Sequence, residues 1–322
     1  MSFTQKELKE HCQYILRQRR IKNKIVVLCE GQIPKNDGRP SPQSYGKMET
    51  MPDANFYKAC VPKWWKQKLP EFFNCGDRQD VIDTYFALSE LHAEDSTKSY
   101  LTPEKLFAIV DLDLQVKTID NYNYTDTDAI FGNLYYKGKV NDKNAINHRI
   151  WVTGLIYKEA YFIAPEIQPI FDNYLSGTPI YNGNPIVLEK IYMDMVDGIG
   201  SDIALQENLQ TASKRISYCA GLDCTGVDKL QDSWKTEFQN AQDETSKNQL
   251  IYALLTIKQV KEYWNQIQPS DDWVHPKTFR DQLSLEIGRF YSAQSSDTRY
   301  HIPVFLKTVY EEDCQQRGYD ND

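Results

Sequence analysis

Two short segments of the chain are continuously apolar, and each leads into acidic residues. Residues 25–28 read Ile-Val-Val-Leu, and Glu30 follows two positions later. Residues 106–110 read Leu-Phe-Ala-Ile-Val, with Asp111 and Asp113 directly behind them. Apolar runs of this length are typical of strands that are buried on both faces, as in a parallel sheet. Because the carboxyl ends of parallel strands share one edge of the sheet, we expect these three acids to converge there.

The surrounding sequence alternates between strand and helix patterns. An amphipathic helix pattern, with Thr4 and Glu7 as a candidate capping box, precedes the first strand, and residues 150–152 predict another strand. This alternation indicates βα units and therefore an α/β fold with a mostly parallel sheet flanked by helices. Beyond the sheet, apolar residues recur at helical spacing. We divide the chain into an N-terminal helix (1–23), a sheet domain (24–175) and a mainly helical C-terminal region (176–322) that begins with a linker or exposed turn at 176–186.

Composition and net charge limit the classes of protein to which the chain can belong. The chain has 322 residues, of which 41% are hydrophobic and 25% are charged, as in ordinary globular proteins. Its net charge of −8 argues against a protein that a global positive field holds on nucleic acid, although it permits a local basic groove. No apolar run approaches the ~20 residues that span a bilayer. The seven scattered cysteines indicate reduced thiols, so we expect a cytoplasmic protein without a membrane partner.

Converging acids at one sheet edge predict a metal site. Carboxylates that lie close together repel each other unless a cation neutralises them. Mg²⁺ prefers oxygen ligands, keeps several waters and often bridges carboxylates to phosphates. Alternate residues of an extended strand project the same way, so Asp111 and Asp113 are expected to reach the same ion. Such an ion can activate water and stabilise charge on a phosphodiester oxygen, which makes Glu30, Asp111 and Asp113 the candidate ligands.

The segments "IVVLCEG" and "IVDLD" resemble the TOPRIM domain, which topoisomerases, primases and a group of nucleases share. In that family a Glu after the first strand and an Asp-x-Asp after a later strand bind Mg²⁺. Over residues 24–170, the chain also resembles the OLD-like nucleases and their stand-alone relatives in bacterial anti-phage defence. Glu30-Gly31 and "DANFY" at 53–57 match two halves of a motif of that branch, and "VTGLIYKEAYF" is similar to a later segment of it.

The resemblance implies a TOPRIM-like sheet domain and a Mg²⁺-dependent nuclease, with Mn²⁺ as a substitute ion. Glu30, Asp111 and Asp113 would be catalytic metal ligands, and Glu30 could also act as general base or acid. Asp53 and Glu159 are further candidate ligands; the alternatives are a helix N-cap for Asp53 and a surface acid for Glu159. Some relatives use a lysine to stabilise transition-state charge, but adjacency to Glu159 alone does not assign that role to Lys158. The resemblance also implies an effector that an ATPase partner restrains, with homo-oligomerisation as an option.

A second segment has a composition that favours binding to nucleic acid. Residues 63–68 read "KWWKQK" and combine Lys63, Lys66 and Lys68 with Trp64 and its neighbour Trp65. Stacking aromatics beside cations are typical of sites that bind single-stranded nucleic acid. The alternative is a helix that buries one tryptophan while the lysine stems cover it.

Two other functions use the same residues. A metal-dependent phosphotransferase or phosphatase would apply the carboxylates to a small substrate in a closed pocket. A non-catalytic module would use the helical half to bind a partner, and its acids would be structural. For a nuclease, the sequence leaves DNA and RNA open as substrates.

Overall fold

The computed structural model describes residues 3–33, 52–66, 68–175, 177–270, 275–294 and 297–316. The described elements up to residue 175 are, in chain order, α1 (Gln5–Leu16), β1 (Val26–Cys29), α2 (Pro52–Ala59), β2 (Glu71–Asn74), α3 (Arg78–Glu94), β3 (Leu106–Val110), α4 (Thr127–Leu134), β4 (Tyr135–Tyr136), β5 (Lys139–Val140), α5 (Asp142–Ala145), β6 (Ile150–Val152) and α6 (Gln168–Asp172). Those that follow are β7 (Pro179–Tyr181), β8 (Asn184–Pro185), α7 (Leu188–Asp197), α8 (Ile203–Glu207), α9 (Leu209–Ile216), α10 (Val227–Asn240), α11 (Glu244–Ile257), α12 (Lys261–Gln266), β9 (Gln268–Pro269), α13 (Pro276–Ser292) and α14 (His301–Gln316).

The central sheet has four parallel strands in the order β2-β1-β3-β6. In the register of β1, Val26 lies opposite Glu71 on one side and Leu106 on the other. Every residue of β1, β3 and β6 is buried, which is why these strands are apolar throughout. The prediction of an α/β fold with a parallel sheet flanked by helices is confirmed. Because β1 and β3 are neighbours, the chain leaves both strands at the same edge.

Helices of the C-terminal region pack directly against the sheet domain. Gly288 in α13 lies so close to α2 that a Cβ at this position would fall 2.7 Å from the Cβ of Ala59. At the amino ends of the strands, α14 is tied to the sheet by an ion pair between Arg149 and Glu312 at 2.7 Å. The buried apolar residues form one cluster that extends from Cys12 to Val309. The helical region therefore shares a core with the sheet that it covers.

Two predicted elements have different bounds in the structure. The capping box of Thr4 and Glu7 is present, but α1 ends at Leu16 and a separate 3₁₀ turn follows it. The segment at 176–186 contains the hairpin β7-β8, which joins β9 in a three-stranded sheet of order β8-β7-β9. Asn182 and Gly183, both with positive φ, form its two-residue turn, as Asn-Gly pairs commonly do. This short signal was present in the sequence. Within the described ranges, no helix is both long and apolar enough to cross a bilayer.

Candidate active site

Glu30 and Asp111 meet at the carboxyl edge of the sheet. The backbone N–H of Asp111 donates a hydrogen bond to Oε1 of Glu30 over 2.7 Å. The Asp111 carboxylate accepts a hydrogen bond in turn, from the backbone N–H of Lys158 to Oδ1 over 3.1 Å. Because Lys158 follows β6, the loops after three adjacent strands converge at one point. The structure thus brings Glu30 and Asp111 together as the sequence predicts.

Burial dominates the electrostatics of this pair. It raises the pKa of Glu30 to about 8, and the nearby charge of Asp111 adds to the effect. It raises the pKa of Asp111 to about 6, against the opposing influence of the Lys158 ammonium. Without a cation, burial therefore favours the protonated form of both carboxyl groups, and favours it more strongly for Glu30 than for Asp111. A divalent cation would favour ionisation of both carboxyl groups, because it would neutralise two buried charges that repel each other.

Lys158 holds two further carboxylates at the site. Its Nζ lies 2.8 Å from Oδ1 of Asp53 and 3.1 Å from Oε1 of Glu159. Burial disfavours the charged form of Lys158, but the carboxylates of Glu159, Asp53 and Asp111 outweigh it and hold the pKa of Lys158 well above its ordinary value. The site therefore contains a buried, charged ammonium. The sequence did not assign this residue, and its adjacency to Glu159 was the only signal for it.

Asp53 reaches the site from the first turn of α2, inside the helix rather than at the N-cap position. The close approach of α2 depends on Gly31, the residue after Glu30. A Cβ at Gly31 would lie 2.6 Å from Oδ2 of Asp53 and 2.5 Å from Cγ of Asn74. No larger residue fits between these groups without displacing them. Residues 34–51, which separate the two halves of the motif in the sequence, lie outside the described residues.

Glu159 is not a surface acid, since its side chain is only 14% exposed. Its Oε1 pairs with Lys158, whereas its Oε2 is buried and has no hydrogen-bond partner in the part of the chain that the structure describes. A buried carboxylate oxygen without a partner is unfavourable and is available to a ligand. Among the described residues, Glu159 thus presents an oxygen without a hydrogen-bond partner beside Lys158.

Asp113 does not continue the extended geometry of β3. The strand ends at Val110, and Asp113 has a positive φ of 46°. Its Oδ1 accepts hydrogen bonds from the N–H of Leu114 at 2.6 Å and from the hydroxyl of Tyr157 at 3.4 Å. Its Oδ2 lies 3.9 Å from the guanidinium of Arg78. The alternation that would orient Asp111 and Asp113 alike therefore does not apply here, and the role of Asp113 as a metal ligand stays a prediction.

Two arginines that no sequence pattern predicts support the loop after β3. Arg78 donates to the carbonyl of Leu112 over 3.0 Å, and Arg215 donates to the carbonyl of Asp113 over 2.5 Å. The Arg215 side chain is 1% exposed and also pairs with Asp128 at 2.9 Å. No local pattern distinguishes these arginines from surface residues. They hold the loop from two elements, α3 and α9.

The donor set fits a hard divalent cation that keeps part of its hydration shell. Within the described ranges, no three His, Cys, Asp or Glu side chains are arranged as a metal-binding group. Mg²⁺ is nevertheless commonly held by one or two carboxylates, with water and substrate phosphate as the remaining ligands. Glu30 and Asp111 provide such a pair.

Comparisons with models of protein families, with curated proteins and with solved structures give no match.

The segment with Lys63, Trp64, Lys66 and Lys68 lies at the far end of α2 from Asp53, and α2 is about 12 Å long. Residues 61–66 form turns and irregular backbone rather than a helix. Trp65 is buried, whereas Trp64 is 44% exposed and packs edge-on against Tyr310 at 5.0 Å. The three lysines are exposed. Their binding to nucleic acid stays a prediction.

Proposed function

We propose that this chain is a metal-dependent nuclease of the TOPRIM type that hydrolyses phosphodiester bonds in DNA or RNA. The contact between Glu30 and Asp111 carries the proposal, because it unites a half-buried and a buried acid that directly follow two adjacent parallel strands. Acids in such a position are unfavourable for stability and are therefore candidates for a functional role. The resemblance of "IVVLCEG" and "IVDLD" to TOPRIM segments gives these acids their proposed role.

Glu30 and Asp111 would hold Mg²⁺ or Mn²⁺, with Asp113, Asp53 and Glu159 as further candidate ligands. When bound, such an ion activates water and stabilises the charge that develops on phosphate oxygens. With an ion bound, Glu30 would be ionised, and its carboxylate would be able to accept a proton from the attacking water and return it. Lys158 has three N–H donors, of which Asp53 and Glu159 engage two, and the third would stabilise a phosphate oxygen.

Cleavage assays test the proposal directly. Plasmid DNA, single-stranded DNA and total tRNA are incubated with the protein in Mg²⁺, Mn²⁺ or EDTA. Cleavage by the wild type that requires the metal, and that both Glu30→Gln and Asp111→Asn lose, would support a nuclease and identify its substrate. Metal-dependent cleavage that persists in both variants would rule out this site. If the wild type binds no divalent ion in calorimetry, the metal assignment is wrong.

A small phosphorylated substrate is the second candidate. The observation in its favour is burial, since the Asp111 side chain is only 6% exposed and a polymer must reach it from outside. Phosphate release from p-nitrophenyl phosphate, without cleavage of any nucleic acid, would favour a phosphatase. The third candidate is a non-catalytic module that binds a partner. It predicts that Glu30→Gln changes no function of the chain.

The resemblance to defence nucleases also carries the proposal that an ATPase partner restrains the nuclease. Copurification of an ATPase with the chain from its native host tests this, and recovery of the chain without any ATPase would contradict it.

A further inference from the structure

The C-terminal helical region places a cation beside the carboxylates of the site. Lys261 is the first residue of α12, and its Nζ lies 3.9 Å from Oδ2 of Asp111. The same Nζ lies over the ring of Tyr157, 4.1 Å from its centroid. Tyr157 in turn donates its hydroxyl to Asp113 over 3.4 Å. Lys261 therefore lies beside the acids that follow β3, although it belongs to a different part of the chain.

Lys261 differs from the other cations near the site in how its charge is used. Lys158 is buried and bridges Asp53 and Glu159. Lys258, three residues before Lys261, is also buried and pairs with Asp202 at 2.7 Å. The side chain of Lys261 is 49% exposed, and 3.9 Å is too long for a hydrogen bond to Asp111. The aromatic face attracts the ammonium electrostatically, and because half of the side chain is exposed, the charge stays accessible to an anion from solvent.

The position of Lys261 is held firmly. The N–H of Ile156, in the loop after β6, donates to the carbonyl of Leu255 at the end of α11 over 3.0 Å. Trp264 of α12 packs on Phe162 of the 3₁₀ segment Lys158–Ile163, with 4.8 Å between ring centroids. These contacts, on either side of Lys261 in the sequence, tie α11 and α12 to the segment that follows β6. The backbone at Lys261 therefore needs little reorganisation when its side chain binds a ligand.

We infer that Lys261, on the ring of Tyr157, binds a phosphate of the substrate backbone next to the cleavage site. This assignment rests on the proposed nuclease function and adds a substrate contact from the C-terminal region to it. Lysine binds phosphate as a point charge, through the backbone that all sequences and both nucleic acids share. The contact is therefore expected to be independent of base sequence.

Binding to fluorescein-labelled single-stranded DNA and RNA, followed by anisotropy at several salt concentrations, tests the inference. EDTA prevents metal-dependent cleavage in one series, and Ca²⁺ replaces Mg²⁺ in the other. We expect Lys261→Met to weaken binding about tenfold and to reduce the slope of log K against log salt by about 0.7 for a single strand. Lys261→Arg keeps the charge, so its salt slope should equal that of the wild type.

Lys247→Met is the matched control. Lys247 also lies over an aromatic ring, that of Phe238 at 5.4 Å, but it belongs to α11 and contacts none of the site acids. Its removal should leave both affinity and salt slope unchanged. In cleavage assays Lys261→Met should raise KM and leave kcat nearly unchanged, because the contact is made equally in the ground state and the transition state.

The two proposals fail in distinguishable ways. If the wild type cleaves nucleic acid and Lys261→Met binds and cleaves like Lys247→Met, the phosphate contact is refuted and the nuclease function stands. If the wild type neither binds nor cleaves DNA or RNA, both proposals are refuted. A similar loss in DNA and RNA supports a backbone contact, whereas a loss confined to one base sequence contradicts it.

Discussion

The backbone N–H of Asp111 donates to the carboxylate of Glu30 over 2.7 Å, across 81 positions of sequence. The contact forms because β1 and β3 are adjacent and parallel, so the first residues beyond each strand lie side by side. It lowers the pKa of Glu30, but by less than burial and the charge of Asp111 raise it. The hydrogen bond thus positions an acid that the fold holds in a partly protonated state.

Glu30→Gln should abolish metal-dependent cleavage and leave the fold intact or more stable. The Gln side-chain oxygen can still accept the hydrogen bond from Asp111. Between the ordinary pKa of 4.5 and about 8, folded Glu30 binds more protons than unfolded Glu30, so stability falls as pH rises through this window. Gln removes this effect. Without metal, urea denaturation should show that the stability of Glu30→Gln relative to the wild type increases as the pH rises from about 5 to 8.

Glu71→Gln is the control for that substitution. Glu71 begins β2, at the opposite edge of the sheet, and pairs with Arg20 at 3.3 Å and with Lys24. Its loss should reduce the free energy of unfolding by about 0.5–1 kcal/mol and leave cleavage unchanged. Equal losses of cleavage in Glu30→Gln and Glu71→Gln would indicate a general effect on folding rather than a catalytic role for Glu30.

Lys158→Met should be strongly destabilising, by about 3 kcal/mol, because it leaves Asp53 and Glu159 buried without their shared cation. Adding Asp53→Asn should recover part of the loss, since one uncompensated carboxylate is then removed. A double-mutant cycle in urea should give an interaction energy above about 1 kcal/mol. Additive losses would show that Lys158 and Asp53 do not stabilise each other.

Gly31→Ala should damage the site without changing any charge. The new Cβ would lie 2.5 Å from Cγ of Asn74 and 2.6 Å from Oδ2 of Asp53, so both side chains must move. We expect a loss of about 1–3 kcal/mol of stability and a loss of cleavage that exceeds tenfold. Gly132→Ala in α4 is the control: a Cβ there meets no atom within 4 Å, and stability should rise by up to about 1 kcal/mol. Normal cleavage by Gly31→Ala would contradict the close approach of α2.

The folded protein should become less stable in mild acid because His301 is held in its neutral form. Nε2 lies 2.9 Å from the carbonyl of Gly138, and Nδ1 lies 3.0 Å from the hydroxyl of Tyr161, a pattern that suits the neutral ring. Burial lowers the pKa of His301 from 6.5 to about 4. Between these values the unfolded chain binds the extra proton, so stability is lost as pH falls from 6.5 towards 4.

His301→Gln tests this pH dependence, because it removes the titrating group. The difference in free energy of unfolding between wild type and variant should shrink by up to about 3 kcal/mol between pH 7 and pH 4. Chemical denaturation of both proteins at each pH provides the measurement. A difference that stays constant with pH would mean that His301 is not held neutral.

The order of the sheet-domain elements could be predicted from the sequence, because each element has a pattern of apolar residues of its own. The uninterrupted apolar runs of β1, β3 and β6 indicated buried parallel strands, and all three are buried in one parallel sheet. The hairpin at Asn182-Gly183 had an equally local signal, which the reading as a linker overlooked. The alternation argument for Asp113 does not hold beyond Val110, because Asp113 has a positive φ and the backbone there is no longer extended.

The sequence by itself determined where the strands lie and that acids follow them, since apolar periodicity and strand ends depend on neighbouring residues. Only the tertiary structure decided which charges meet at the carboxyl edge. Asp53, Lys158 and Lys261 come from three separate parts of the chain, and no local pattern relates them. Their pairing depends on distance in space and on burial, because a charge removed from water interacts strongly with the groups that fold beside it. That is why the acids were found in the sequence and the lysines beside them were not.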